Sequence, residues 1–318
     1  MTDADSDDSA PEVRINDTGP TMFNLPRWQP DAEYDVVFIG VPSDAGGLGN
    51  RSPAAAPSFL RTASALFPTP VSEGRCQGFY DYTVGQPLLA GARMADAGDL
   101  VCDRGAGMAQ FEALPAVYAT LRETCAQLVI LGGDHSLSYF LAHSLDGEGI
   151  VWLDAHEDAG PRHDRYPHCA NVVSYIDELA NIPVIAQYGL RGIVPLRRDT
   201  PPDKRVLCHT SEQVVDALRT RDIRSTVLTV DVDVIDPSIL PAVGSPMPEG
   251  MSPTDLLALL DALLDADIAI PVLELAEFAP ISDQDITSGL VLVNFLLRAL
   301  HRCHAARTRA QGSGSQER

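Results

Sequence analysis

The chain reads as an α/β protein, a parallel sheet covered by helices on both faces. Three observations carry that reading. Apolar runs alternate with amphipathic segments along most of the 318 residues. Several runs are near-continuously apolar, as in strands covered on both sides. No long Ser/Gly/Pro linker interrupts the pattern between residues 35 and 300. Strand-helix alternation is the signature of one sheet between helical layers.

The predicted strands, in order, are 35–41 (DVVFIGV), 127–132 (QLVILG), 149–154 (GIVWLD), 183–189 (PVIAQYG), 205–208 (RVLC), 225–231 (STVLTVD) and 268–275 (IAIPVLEL). The predicted helices are 54–66, 109–125, 136–145, 171–180, 211–220, 253–265 and 285–303. Ser252 is the expected N-cap of the sixth, with Pro253 and Asp255 in its first turn. Residues 1–30 are acidic and polar and read as disordered. Residues 31–303 read as a single catalytic domain, and 304–318 as a flexible tail.

Composition excludes some functions. A formal net charge of −21 argues against nucleic-acid binding, which needs a basic face to neutralise phosphates. It suits a chain that accepts cationic small molecules, or one that is merely soluble. Six scattered cysteines without a Cys-x-x-Cys pair read as free thiols in a reducing compartment. The N-terminus lacks a secretory pattern, and no apolar run reaches the ~18–20 residues of a membrane span. A cytoplasmic protein without membrane partners is the expectation.

The chemistry concentrates in five short stretches. They are Gly132-Gly133-Asp134-His135-Ser136, Asp154-Ala155-His156-Glu157-Asp158, His168, Asp231-Val232-Asp233, and Glu277 in Glu277-Phe278-Ala279-Pro280. The first, second and fourth follow apolar runs, so they fall at strand ends, where open α/β sheets place their ligands. In an extended strand residues i, i+2 and i+4 point the same way. Asp154, His156 and Asp158 therefore converge, as do Asp231 and Asp233. Such carboxylates repel one another at a cost of several kcal/mol unless paired or metal-bound. Neither motif contains Lys or Arg, so metal is the economical answer. Oxygen and imidazole donors suit Mn(II), and also Ni, Co, Fe or Zn. Two ions ~3.5–4 Å apart need bridging carboxylates and together lower the pKa of a shared water.

Each piece alone has a plainer reading. Gly-Gly-Asp-His serves as a tight turn, Asp-x-Asp as a solvated or calcium-like loop, His168 as a surface histidine, and Glu277 as a loop start. Gly-Gly-Asp-His, Asp-x-His-x-Asp and Asp-x-Asp in this order, each after an apolar strand, are what make the pattern specific. LGGDHS (131–136), LDAHED (153–158), DVDVIDPSILPAVGSP (231–246) and EFAP (277–280) together resemble the ureohydrolase family, over about residues 35–302. Agmatinase, guanidinobutyrase and proclavaminate amidinohydrolase are the nearer members, arginase the more distant.

The resemblance implies a three-layer α/β/α fold with a mostly parallel sheet of about eight strands, a dimanganese centre, and a homo-oligomeric trimer or hexamer. It implies one ion on His135, Asp154, Asp158 and Asp231, and another on Asp154, His156, Asp231 and Asp233. Asp154 and Asp231 would bridge. His168 would shuttle protons, Asp158 would accept a hydrogen bond from the nucleophile, and Glu277 would receive the guanidinium of a small-molecule substrate. Urea and a primary amine would be the products.

Departures from the family concern the substrate tail. Where arginases read the amino-acid end of arginine, this chain has Ala159-Gly160-Pro161 and Tyr166-Pro167-His168-Cys169. Arginine is therefore not the expected substrate. Agmatine, 4-guanidinobutyrate and a guanidino-bearing secondary metabolite all remain. Cys169 stands where glycine is usual. The mouth loop Arg51-Ser52-Pro53-Ala54-Ala55-Ala56-Pro57 lacks glycine, and the aromatic stretch Cys76–Tyr82 is a candidate pocket wall as well as a core element. Formimidoylglutamase-like hydrolysis and an inactive oligomeric binding or regulatory paralogue are the alternatives.

Overall fold

A computed structural model describes residues 14–48, 52–103, 106–194, 204–281 and 285–314. In chain order the elements are β1 (Ile15–Asn16), β2 (Val36–Gly40), α1 (Ala56–Ser64), β3 (Val71–Ser72), β4 (Arg75–Cys76), β5 (Phe79–Asp81), β6 (Gln86–Leu88) and β7 (Met94–Leu100). Then follow α2 (Leu114–Thr124), β8 (Leu128–Leu131), α3 (Ser138–His143), β9 (Gly149–Leu153), α4 (Val172–Ile176), β10 (Ile185–Tyr188) and β11 (Arg205–Cys208). The last are α5 (Ser211–Arg219), β12 (Ser225–Asp231), α6 (Pro253–Asp265), β13 (Ala269–Ala276) and α7 (Ile286–Gly314).

Nine strands form the central sheet in the order β1-β7-β2-β8-β13-β12-β9-β10-β11. All neighbouring pairs are parallel except β1 with β7. The pleat sends alternate residues to opposite faces, and the core divides accordingly. Phe38, Val129, Leu131, Val151 and Leu228 pack with α1, α5, α6 and α7 on one face. Val37, Leu128, Ile130, Ile150 and Val227 pack with α2, α3 and α4 on the other. The result is the three-layer arrangement predicted. β12 and β13 come late in the chain but insert between β8 and β9. Four consecutive strands at the centre of the sheet thus end side by side, although their sequences lie far apart.

Every predicted strand and helix is present, with ends that differ by a few residues except at the C-terminus of α7. Ser252 caps α6 as expected: its hydroxyl accepts from Asp255 N–H at 3.2 Å, and Asp255 accepts from Ser252 N–H at 2.8 Å.

Three expectations change. The N-terminal segment is not free from residue 14 onward. Ile15 and Asn16 pair with β7, and Met22 and Phe23 are fully buried. A few large apolar side chains anchor a stretch whose average composition is polar. Residues 1–13 lie outside the described region. At the other end, α7 continues past residue 303, held where His304 and Arg307 each approach the Asp35 carboxylate at 3.4 Å.

Finally, β7 was not foreseen. Its sequence MADAGDL carries two aspartates and a glycine, a loop-like composition. Arg61 from α1 reaches across to both acids: Nε lies 2.8 Å from the buried Asp96, and another guanidinium nitrogen contacts the half-buried Asp99.

The aromatic stretch lies at the wrong edge to wall a pocket at the strand C-termini. Cys76 N–H bonds the Ala92 carbonyl, just before β7 begins. Phe79 packs on Phe23 with ring centroids 5.1 Å apart, while Tyr80 and Tyr82 face solvent. Of the mouth loop, Arg51 lies outside the described residues. From Pro53 it forms a short turn into α1, with Pro53, Ala56 and Pro57 buried. The six cysteines are all free thiols. Among the described residues no helix is long and apolar enough to cross a membrane.

Candidate metal centre

The site is built where β8, β13, β12 and β9 end together. After β8 the chain turns through Gly132-Gly133. A side chain at Gly133 would collide with the Ser43 carbonyl, which accepts Asp134 N–H at 2.9 Å. Glycine is required by that close approach, and it swings His135 inward. The Asp134 carboxylate accepts N–H groups from Gly46 at 3.2 Å and from Ser136 at 3.1 Å. It ties the loop after β2 to the His135 turn.

His135 is completely buried, and its Nδ1 has no hydrogen-bond partner. Three carboxylates surround that atom: Asp154 at 3.4 Å, Asp231 at 3.5 Å and Asp158 at 3.9 Å. His156 Nδ1 lies 2.9 Å from Asp233 and 3.6 Å from Asp154. Two groups result whose donor atoms all lie within 4.8 Å of one another: His135, Asp154 and Asp158, and Asp154, His156 and Asp233. Asp154 belongs to both. Asp231 belongs to neither and approaches through its contact with His135; its other oxygen accepts Asp233 N–H at 2.9 Å.

An orphaned imidazole nitrogen among carboxylate oxygens fits divalent cations. So does the donor chemistry, which is all oxygen and imidazole. The metal-free electrostatics say the same. Burial, with the neighbouring Asp233 and Asp154, pushes Asp231 well above the carboxylate range. Burial and Asp154 do likewise to Asp158. Burial opposes protonation of His135, yet Asp154 and Asp158 hold it up to about 9. His156, between Asp154 and Asp233, is held up to about 11.

Two acidic residues here have left-handed backbones, Asp158 with φ 47° and Glu277 with φ 62°. That conformation costs a non-glycine residue roughly 1 kcal/mol or more, and such strain gathers at functional sites. Glu277 is fixed at both ends: its N–H donates to Gly133 O at 2.9 Å, and its Oε1 accepts His135 N–H at 2.9 Å. Burial pushes its carboxyl up to about 7. His168 and Glu277 lie outside the two metal-sized groups. His168 precedes the turn Cys169–Asn171, which is tied down by Cys169 N–H to Gly46 O at 2.9 Å. Its Nδ1 is buried and unpartnered. Burial, together with Glu277, Asp158 and Asp134, pushes the Cys169 thiol well up, which sets this turn against the site.

The model of the family described as arginase matches residues 34–301. The chain belongs to the arginase family. It is accordingly a hydrolase acting on amidino-type C–N bonds. It is 28% identical over 267 residues to a formimidoylglutamase of Halobacterium salinarum, covering 79% of this chain and 82% of that protein. It is 28% identical over 290 residues to proclavaminate amidinohydrolase of Streptomyces clavuligerus, covering 85% and 89%. The solved structure of that amidinohydrolase superposes with a TM-score of 0.71 at 23% identity, covering 90% of this chain and 97% of that one. Formiminoglutamase of Trypanosoma cruzi, crystallised with Mn2+, shares the fold with a TM-score of 0.67 at 16% identity, covering 90% and 99%.

Sequence reasoning missed the residues beneath the site. Glu274, Thr229 and Trp152 are buried, and each touches a residue of the two groups or its support. Glu274 was legible as the one acid inside the apolar run Ile268–Leu275.

Proposed function

We propose that this hydrolase cleaves the guanidino group of a non-arginine guanidino compound, releasing urea and a primary amine with the help of two Mn(II) ions. The observation that supports it most is the pair of ligand groups sharing Asp154, with no Lys or Arg ion-paired to their carboxylates among the described residues; the Arg191 guanidinium bonds the Asp233 backbone carbonyl instead. One ion would take His135, Asp154, Asp158 and Asp231; the other, Asp154, His156, Asp231 and Asp233. Ni, Co, Fe or Zn satisfy the same donors. Such ions lower the pKa of water, so that hydroxide is at hand near neutrality.

The chain's own residues do the rest. A guanidinium is planar, cationic and offers forked donors, which a carboxylate matches. Glu277, held by the His135 N–H, presents that carboxylate. Asp158 takes the proton released as hydroxide oxygen adds to the guanidinium carbon. The C–N bond to the alkyl-bearing nitrogen then breaks. The departing amine needs a proton, and His168 supplies it. Substrate cation plus water gives urea plus an alkylammonium ion. Ala159-Gly160-Pro161 lacks the polar side chains that would hold an α-amino acid, which weighs against arginine. The resemblance also implies a homo-oligomer, which sedimentation would test.

The halobacterial formimidoylglutamase supports a second reading, hydrolysis of a formimino group, which is also cationic. A panel of guanidino compounds and N-formimino-glutamate assayed with Mn(II)-loaded protein separates the two. Urea from agmatine, 4-guanidinobutyrate or a larger guanidino compound, with little from L-arginine, is the expected result. Formamide from the formimino compound with no urea from any other, or a preference for L-arginine, would overturn the proposal.

A further inference from the structure

Beneath the metal-sized groups lies a buried chain of polar side chains that touches neither substrate nor the second histidine. Thr229 on β12 sits opposite Glu274 on β13 and opposite Trp152 on β9. The three therefore form one row across the sheet, on the face covered by α2, α3 and α4. Glu274 is 1% exposed. Its Oε2 accepts the Thr229 hydroxyl at 2.7 Å and the Ser138 hydroxyl at 2.5 Å. Thr229 Oγ1 in turn lies 2.9 Å from His135 Nε2. Trp152 stacks on the His135 ring, with centroids 3.9 Å apart and planes 18° apart, and donates its indole N–H to Asp154 at 3.0 Å.

The directions of these bonds follow from what each group can do. A carboxylate only accepts. Thr229 has one proton and gives it to Glu274. Its oxygen is then left to accept, so His135 Nε2 must carry the hydrogen. In the neutral ring the lone pair then falls on Nδ1, the atom surrounded by Asp154, Asp158 and Asp231.

We infer that Glu274, acting through Thr229, is a positioning residue that selects the His135 tautomer and holds the ring for metal binding. The inference rests on the reading of His135 as a ligand. Groups in this relation to a ligand commonly change metal affinity by about 10- to 100-fold when removed.

Thr229 offers a decisive pair of substitutions. Thr229→Val keeps the shape and removes the hydroxyl; Thr229→Ser keeps the hydroxyl and removes a methyl. Mn(II) titration of the metal-stripped proteins reads affinity directly, and thermal unfolding of the same samples reads packing. The expected result is a loss of about tenfold or more in the affinity for one of two ions in Thr229→Val, with wild-type affinity restored in Thr229→Ser. A packing role gives the opposite ranking, because Ser leaves the larger void. Unchanged affinity in Thr229→Val, or equal losses in both variants, would overturn the inference. If Thr229→Val does not fold, Glu274→Leu carries the same test, with unchanged affinity again fatal. Wild-type protein that binds no Mn(II) would remove the metal reading itself, a distinguishable outcome.

Discussion

Two buried clusters of aspartates sit in the same sheet and are neutralised differently. In β7, Asp96 is fully buried beside Arg61, itself 2% exposed, and also accepts the N–H groups of Met22 and Gly98 at 2.7 and 2.8 Å. At the ends of β9 and β12, Asp154, Asp231 and Asp233 are equally deep, yet among the described residues their carboxylates ion-pair only with the two histidines, while the nearby Arg191 guanidinium donates to the Asp233 backbone carbonyl at 2.6 Å instead. The first cluster carries its own cation and is finished as a piece of structure. On the proposed reading, the second is completed by divalent ions from solution. Glu277 is a third case, a partly buried carboxylate adjoining the same centre whose proposed cation is the substrate.

The largest expected effect comes from breaking the finished cluster. Arg61→Met strands Asp96 in the core, and removing one partner of a buried pair costs about 3–5 kcal/mol. Urea denaturation should show that loss, with metal content unchanged in the protein that remains folded. A stable variant would mean that the N–H groups alone suffice for Asp96.

The substrate-facing carboxylate comes next. Glu277→Gln keeps the volume and removes the charge. Losing one partner of a desolvated charged pair costs roughly 2–5 kcal/mol, which corresponds to a fall in kcat/KM of about 30-fold or more. Both metals should stay, since Glu277 lies outside the two ligand groups. Full activity in this variant would remove Glu277 from recognition.

The most gradual effect is a slope of at most about 1.4 kcal/mol per pH unit for each titrating group. His135 goes from an ordinary 6.5 up to about 9 in the metal-free fold: burial acts against the cation, and Asp154 and Asp158 outweigh it. A histidine that binds its proton more tightly when folded stabilises fully below its unfolded value and loses that contribution as pH rises through the folded one. Glu277, pushed by burial from 4.5 up to about 7, changes in the same sense at lower pH. Metal-stripped protein should therefore lose stability as pH rises from 6.5 to 9. Mn(II) binding, which requires neutral imidazole, should strengthen over the same window. Parallel slopes for stripped and loaded protein would contradict a cation site at His135.

The contrast between the clusters also explains what the sequence made legible. The acids of β9 and β12 follow apolar runs with period-two spacing, so both their strand ends and their convergence could be read locally. Asp96 and Asp99 lie within a strand whose burial depends on Arg61, distant in sequence, and MADAGDL has no local sign of that partner. The same holds beneath the site. Glu274 stands out in its apolar run, but its relation to Thr229 and His135 exists only because β12 and β13 insert between β8 and β9. The N-terminal anchor was hidden for a different reason, a few buried side chains in a stretch dominated by Asp, Ser and Pro.

Metal stoichiometry tests the central contrast most directly. Protein loaded with Mn(II), freed of excess metal and analysed for content should hold two ions per chain, and Arg61→Met protein that still folds should hold the same. A folded wild-type chain that retains one ion or none would contradict the dinuclear centre and return the aspartates of β9 and β12 to the class of those in β7.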